Sequence, residues 1–251
     1  MDKLIYTAFN TLNNIYDNRS VRAQNMANIN VPGYRRDLGT KSVGSAFMSS
    51  YNTFQSRALA IRDDTNVFES DPGTLSQTGS KLDIAIRGDG YFVVKGPGAP
   101  SLSRRGDLSV TNDGTLVNGA QQQLLGENLQ PINVGAYRSI DITDEGVVQV
   151  EPLGSEPGTK VEVGKIALTS AAGAQLQKAV DGEIRTVDGT VPAVDGIPKI
   201  VQKHVELSNV NVTEELVNTI EDQRAYEINI KLIKSASDAD EAGASLMRMP
   251  G

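Results

Sequence analysis

His204 is the only histidine in this sequence of 251 residues, and there is no cysteine. Those two facts narrow the chemistry on offer. They exclude a two-histidine metal centre and a thiolate site, and any serine–histidine–aspartate relay would have to run through His204. His204 lies in "KIVQKHVELSNV", an alternating run that puts Ile200, Gln202, His204 and Glu206 on one face of a strand. With no Gly-x-Ser-x-Gly elbow to accompany it, the imidazole reads as an ordinary surface or half-buried side chain. Paired carboxylates are the other candidates, because glycoside hydrolysis uses two opposed acids. Asp63/Asp64, Asp144/Glu145, Glu214/Glu215 and Glu221/Asp222 are adjacent in sequence and fall in turns, a connector or a helix. On a strand, such neighbours point to opposite faces. They read as solvated charges.

Gly88-Asp89-Gly90 begins like a dinucleotide-binding loop, but the third glycine is missing and a strand follows where a helix is needed. It reads as a tight turn. Asp181, Asp188 and Asp195 are evenly spaced, yet the glycine-rich calcium repeat is absent and these too read as turns. No catalytic, cofactor-binding or metal-binding set emerges, so the expectation is a protein that is not an enzyme and takes no cofactor.

A net charge of −7 argues against nucleic acid as the principal partner. Arg35–Arg36 and Arg104–Arg105 come nearest to basic patches and read as paired arginines on a solvated surface. No stretch approaches about 18 uninterrupted apolar residues, so no direct membrane insertion is expected. The beginning, "MDKLIYTAFNTLNNIYD", lacks the features of a cleaved secretory signal. A chain of this kind that leaves the cytoplasm would use a route that removes no signal peptide.

The elements around these residues are helical at both ends and β in the middle. Ile5, Ala8, Leu12, Ile15, Arg19, Arg22, Met26 and Ile29 follow a 3/4 spacing with no proline before Pro32. Asn211 can cap a second helix, with Glu214 three residues on. There Leu216, Thr219, Gln223, Tyr226, Ile230, Ile233, Ser237 and Asp240 keep the spacing, with Ile220 beside the seam. Each helix is too polar to be stable alone, which suggests mutual pairing and further partners. Between them, Asp-Gly dipeptides separate runs such as "LDIAI", "GYFVV" and "GVVQVEPL", and they predict type I′ hairpins. The expected fold is α+β, with the N- and C-terminal helices paired as a coiled-coil-like domain and an all-β central domain of short strands. The expected division is 1–36, an assembly helix and turn; 37–74, an extended connector; 75–205, the β-rich domain; and 206–251, the second assembly helix.

Two stretches carry a resemblance. "ANINVPGYRR" closes the first helix in a pattern similar to the N-terminal signature of the flagellar rod and hook proteins, with Ala27, Asn28, Pro32, Gly33, Tyr34 and Arg35 matching and Val31 where that family usually has threonine. "VELSNVNVTEELVNTIEDQRAYEINIKLIKSASD" resembles the family's C-terminal signature, centred on Gln223, Arg224, Ala225, Tyr226 and Glu227. The middle also resembles it, through "GTLSQTGSKLDIAIRGDGYFVV" and "LSRRGDLSVTNDGTLVNGAQQQLLGE". Within the family, the length and the two ends resemble a proximal-rod subunit, with the distal rod as the alternative.

The resemblance implies a structural, torque-transmitting subunit of the basal-body rod in the periplasm, polymerising through its terminal helices with copies of itself and other rod proteins. It also implies passage through the flagellar type III export apparatus. Assembly would then rest on Ile5, Leu12, Ile15 and Met26 of the first helix, and on Leu216, Ile220, Gln223, Arg224, Tyr226, Glu227, Ile230 and Ile233 of the second. Asn28, Pro32, Gly33, Tyr34, Arg35 and Asn209 would form the joints, with Gly33 at positive φ in a type II turn. A reading of another class is a β-rich, adhesin-like binding module that uses the Asp-Gly loops.

Overall fold

The structure, a computed structural model, describes residues 2–39, 67–96, 98–179 and 181–247, with side chains from 8 to 245. Most of the expected connector, residues 40–66 with Asp63 and Asp64, lies outside the described residues, as does the side chain of Ile5. The chain divides into two compact units. Among the described residues, one holds helices α1 (Asp2–Ala27) and α2 (Val212–Met247) with residues 37–39 and 67, and the other holds residues 28–36 and 68–210.

Helix α1 stops at Ala27 rather than Ile29 because the Asn28 carbonyl is taken by the Val31 amide, at 3.0 Å, which closes a turn instead of a further helical rung. Helix α2 begins on a side-chain cap: Asn211 Oδ1 accepts the Thr213 and Glu214 amides at 3.0 and 3.4 Å. Glu214 and Glu215 lie in its first turn, where the helix dipole favours negative charge.

The second unit carries short strands: β1 (Leu75–Gln77), β2 (Ile84–Arg87), β3 (Tyr91–Lys95), β4 (Ser101–Ser103), β5 (Leu108–Val110), β6 (Leu116–Asn118), β7 (Gln123–Leu124), β8 (Tyr137–Ile142), β9 (Val147–Pro152), β10 (Val161–Lys165), β11 (Leu168–Thr169), β12 (Leu176–Lys178), β13 (Ile184–Thr186), β14 (Lys199–Gln202) and β15 (His204–Glu206). Among the described residues every strand pairing is antiparallel. The largest sheet runs β12-β13-β4-β3-β7-β6-β5, with β11 added to β3. A three-stranded sheet, β10-β9-β8, and two strand pairs, β14-β2 and β1-β15, complete the set.

Strand β3 shows how the sequence builds this layer. Tyr91, Phe92, Val93 and Val94 are all buried, and a period of two divides them between two cores. Phe92 and Val94 join Ile84, Leu116, Leu124, Ile140 and Val148, while Tyr91 and Val93 join Leu102, Leu125, Ala167 and Ile184. Side chains of the three-stranded sheet thus close one face of the large sheet.

The hairpin turns differ from the expected type I′ geometry. At Thr111–Thr115 and Thr143–Val147 only the glycine, Gly114 or Gly146, has positive φ (81° and 85°), and the preceding acid does not. In each, the glycine amide donates to the threonine carbonyl three residues back, and the threonine amide bonds across the hairpin. These are three-residue loops ending in a left-handed glycine, which need one such residue and not two.

The run holding His204 is not a single strand either. Lys203, at φ 64°, kinks it, so β14 pairs with β2 while β15 pairs with β1. His204 is half-buried, with Nδ1 3.0 Å from the Gln202 carbonyl.

Candidate functional site

The β unit contains both ends of the chain segments that lead to the helices, residues 28–36 and 206–210, and ties them to each other. The first turn runs from Val31 to Tyr34: the Tyr34 amide donates to the Val31 carbonyl at 3.2 Å, Pro32 occupies the second position, and Gly33 the third at φ 67°. That is the type II turn expected from Pro-Gly. A Cβ on Gly33 would overlap the Arg104 backbone carbonyl, so glycine is required for space as well as for φ.

From this turn the Gly33 amide donates to the Glu206 carbonyl at 2.8 Å, and the Asn209 amide to the Tyr34 carbonyl at 3.4 Å. Asn209 is a hub. Its Oδ1 accepts the Arg36 amide at 2.7 Å, and its Nδ2 donates to the Asp71 and Glu69 carbonyls at 2.9 and 3.2 Å.

Beneath the turn lies an ionic core. Glu206 is 0% exposed, Arg35 3% and Arg104 2%. One Glu206 oxygen accepts the Gly73 amide at 2.9 Å and pairs with Arg35 Nη1 at 2.7 Å; the other accepts Arg104 Nε at 2.7 Å and pairs with its Nη2 at 2.6 Å. Arg104 spends its remaining donors on the Gly90, Gly88 and Ile86 carbonyls, at 2.7, 2.8 and 3.4 Å. Gly88-Asp89-Gly90, which begins like a nucleotide loop, is therefore a carbonyl cradle for a guanidinium. Burial lowers the Arg104 pKa and raises that of the neighbouring Tyr91 phenol. Lys178, at the end of β12, donates to the Arg35 carbonyl at 3.0 Å and stands 4.0 Å over the Tyr34 ring.

Arg35 and Arg104 are thus not surface arginines, as their pairing in sequence implied. The first of each pair is buried against Glu206, while Arg36 reaches Glu69 at 3.5 Å and Arg105 reaches Asp107 at 2.8 Å. Sequence reasoning missed Glu206, Arg104 and Lys178. One faint signal was present: Glu206 shares an alternating β run with the buried Val205, where a carboxylate needs a cation.

Of the other expected assembly residues, Asn28 is half-buried in the joint. On α1, Ile15 is buried, while Leu12 and Met26 are half-buried. On α2, Leu216, Ile220, Gln223, Arg224, Tyr226, Glu227 and Ile230 are exposed and Ile233 is half-buried. The least exposed α2 positions are instead Glu215, Asn218, Thr219, Asp222, Ala225, Asn229, Ile233 and Ala236, a stripe largely one residue ahead of the expected seam. Arg22 of α1 meets that stripe, with Nε 2.6 Å from Asp222 and Nη1 3.7 Å from Glu215. Among the described residues no group of histidines and acids could hold a metal ion, and no helix is long and apolar enough to cross a membrane.

Comparison with known proteins gives the site its context. Residues 201–246 match the family described as Flagellar basal body rod FlgEFG protein C-terminal, and residues 85–150 match the Flagellar hook protein FlgE/F/G D1 domain. The chain is 30% identical over 257 residues to the flagellar basal-body rod protein FlgF of Salmonella typhimurium, covering 99% of this chain and 100% of the relative. It is 28% identical to FlgF of Escherichia coli with the same coverage. It is 34% identical over 245 residues to the flagellar basal-body rod protein FlgG of Buchnera aphidicola subsp. Baizongia pistaciae, covering 87% of this chain and 90% of the relative.

Proposed function

This chain belongs to the flagellar basal-body rod protein family and is a structural rod subunit, and from that premise we propose a FlgF-type subunit of the proximal rod. In this reading it polymerises through its terminal helices into a tubular shaft that carries torque, with copies of itself and other rod proteins as neighbours. It has no catalytic step, cofactor or nucleic-acid partner, and it reaches the basal body through the flagellar export apparatus. Segments 1–36 and 206–251 act as the assembly arms, joined to the β domain 75–205 and to the connector 37–74.

The observation that carries the assembly reading is the outer surface of α2. Leu216, Ile220 and Ile230 are 50%, 54% and 42% exposed, a stripe of large apolar side chains left open among the described residues. Such a stripe on a helix marks a contact surface. Filaments need contacts that do not close on themselves, which two different helices provide. The coiled-coil character expected of the helices belongs to the assembled rod in this reading. FlgG is the second reading, favoured by the 34% identity to the Buchnera protein.

The test is electron microscopy of basal bodies from a strain lacking the gene, complemented by the full chain. Missing rods restored by the wild-type chain support the reading, and normal rods without the gene overturn it. Rods that stop before the distal segment would select FlgG over FlgF.

A further inference from the structure

The chain leaves α1 at Ala27, passes through the β unit as residues 28–36, and returns to the helical unit at Asp37. Asn25, 1% exposed, meets it there. Its Oδ1 accepts the Asp37 amide at 2.9 Å, and its Nδ2 donates to the Asp37 carbonyl at 2.9 Å and to Glu215 Oε1 of α2 at 3.3 Å. One side chain of α1 thus holds both the returning chain and α2. We propose that Asn25 is a positioning residue for assembly, which seats the returning chain on the helix pair and fixes where the connector departs. The assembly half of this proposal rests on the reading given above; the seating half does not.

The arrangement asks for a carboxamide. The amide and carbonyl of one residue need an acceptor and a donor side by side, and Glu215 needs a second donor. Asn25 supplies all three. Turning the carboxamide over would set N–H against N–H and oxygen against oxygen, so the network fixes its orientation. An aspartate there has the same shape but offers only acceptors. It would set a carboxylate against the Asp37 carbonyl and against Glu215, itself 1% exposed.

The seat also has a direction. A Cβ on Gly39, two residues further on, would stand 2.7 Å from Asn18 Oδ1, so residues 37–39 run back along α1 from Asn25 toward Asn18. The Leu38 amide donates to the Val67 carbonyl at 3.0 Å, which ties together the described residues on either side of 40–66. Both ends of that stretch are therefore held beside the seat. The exposed apolar surface of the helices marks their contacts with other subunits, and a connector without a fixed start would compete for it.

Hydrogen exchange on the full-length monomer tests the seat. Asn25→Ala removes the acceptor of the Asp37 amide, which should exchange about tenfold faster. The Val93 amide, bonded to the Ala167 carbonyl in the β unit, should keep its wild-type rate. Asn25→Asp keeps the shape and an acceptor, yet its Asp37 amide should exchange faster than in Asn25→Ala, because acid then faces acid. Adding Glu215→Gln to Asn25→Asp replaces the facing carboxylate with an amide and should slow exchange below the alanine level. A side chain that only fills space gives the opposite order, with Asn25→Asp close to wild type.

Asn25→Asp exchanging no faster than Asn25→Ala overturns the proposal. So does protection lost evenly along α1 and α2, which would make Asn25 a general support of the helices. In complementation, Asn25→Asp should rebuild no rods and the double variant should rebuild them; either result reversed overturns the assembly half. The assembly reading itself fails separately, when the wild-type chain rebuilds no rods.

Discussion

Glu206 and Arg35 face each other at 2.7 Å in a site closed to water, and with Arg104 on the other oxygen they make a buried triad of two cations and one anion. Removing the anion leaves two desolvated guanidinium groups. Glu206→Gln should therefore destabilise the β unit by about 3 kcal/mol or more. The midpoint of urea denaturation of the full-length monomer measures it. A midpoint within error of wild type would show that the triad is solvated in solution.

Gly33→Ala puts a Cβ against the Arg104 backbone at a residue with φ 67°. The left-handed conformation alone costs an alanine about 1 kcal/mol, before the overlap is relieved. We expect a loss well above 1 kcal/mol and faster hydrogen exchange at the Gly33 amide, whose acceptor is the Glu206 carbonyl. Retained protection there would contradict the turn geometry.

The outward stripe of α2 makes the opposite prediction. Ile220→Ser with Ile230→Ser removes apolar surface left open among the described residues. Monomer stability should change by less than about 0.5 kcal/mol. Rod assembly, scored by complementation and microscopy, should fail. Normal rods from this variant would move the assembly surface elsewhere.

Asp141 on β8 holds Lys81 and Lys160 at 2.7 and 3.0 Å, and hydrogen bonds from these two lysines hold its carboxyl below the usual carboxylate pKa. A folded-state pKa below the unfolded one gives stability that is present above about pH 4 and fades as pH falls through the folded value. The pair is partly exposed, so the effect is small. Asp141→Asn should cost roughly 0.5 kcal/mol at neutral pH and almost nothing at acid pH. Thermal unfolding across that range would check it; a cost independent of pH would assign the loss to packing.

Much of the joint could be read from the sequence, because its parts are local. Pro32-Gly33 specifies a turn by the φ values those two residues accept, and Asn211 caps a helix from within its own first turn. The ionic core could not be read in the same way. Its members Arg35, Arg104 and Glu206 come from distant segments, and no local pattern distinguishes Arg104 from its half-exposed neighbour Arg105.

The helix period was legible and its phase was not. Spacing alone placed Leu216 and Ile230 on the inner seam, on the rule that apolar residues face the partner helix. The expected seam holds at Thr219 and Ile233 but misses at Leu216 and Ile230, and the less exposed stripe takes in Glu215 and Asp222, which Arg22 meets. The Asp-Gly turns show the same limit. The dipeptide marked the hairpins, but loop length selected the turn, and only the glycine has positive φ.

The pairing of β1 with β15 has a kinetic consequence. Gly73 and the carboxylate it binds on Glu206 are 133 positions apart in sequence, so the joint closes only after the chain between them has been gathered in. Contacts of such long range form late and slowly. Residues 28–36 and 206–210 therefore stay untied until the β unit is complete, and a chain interrupted anywhere before β15 never closes this joint.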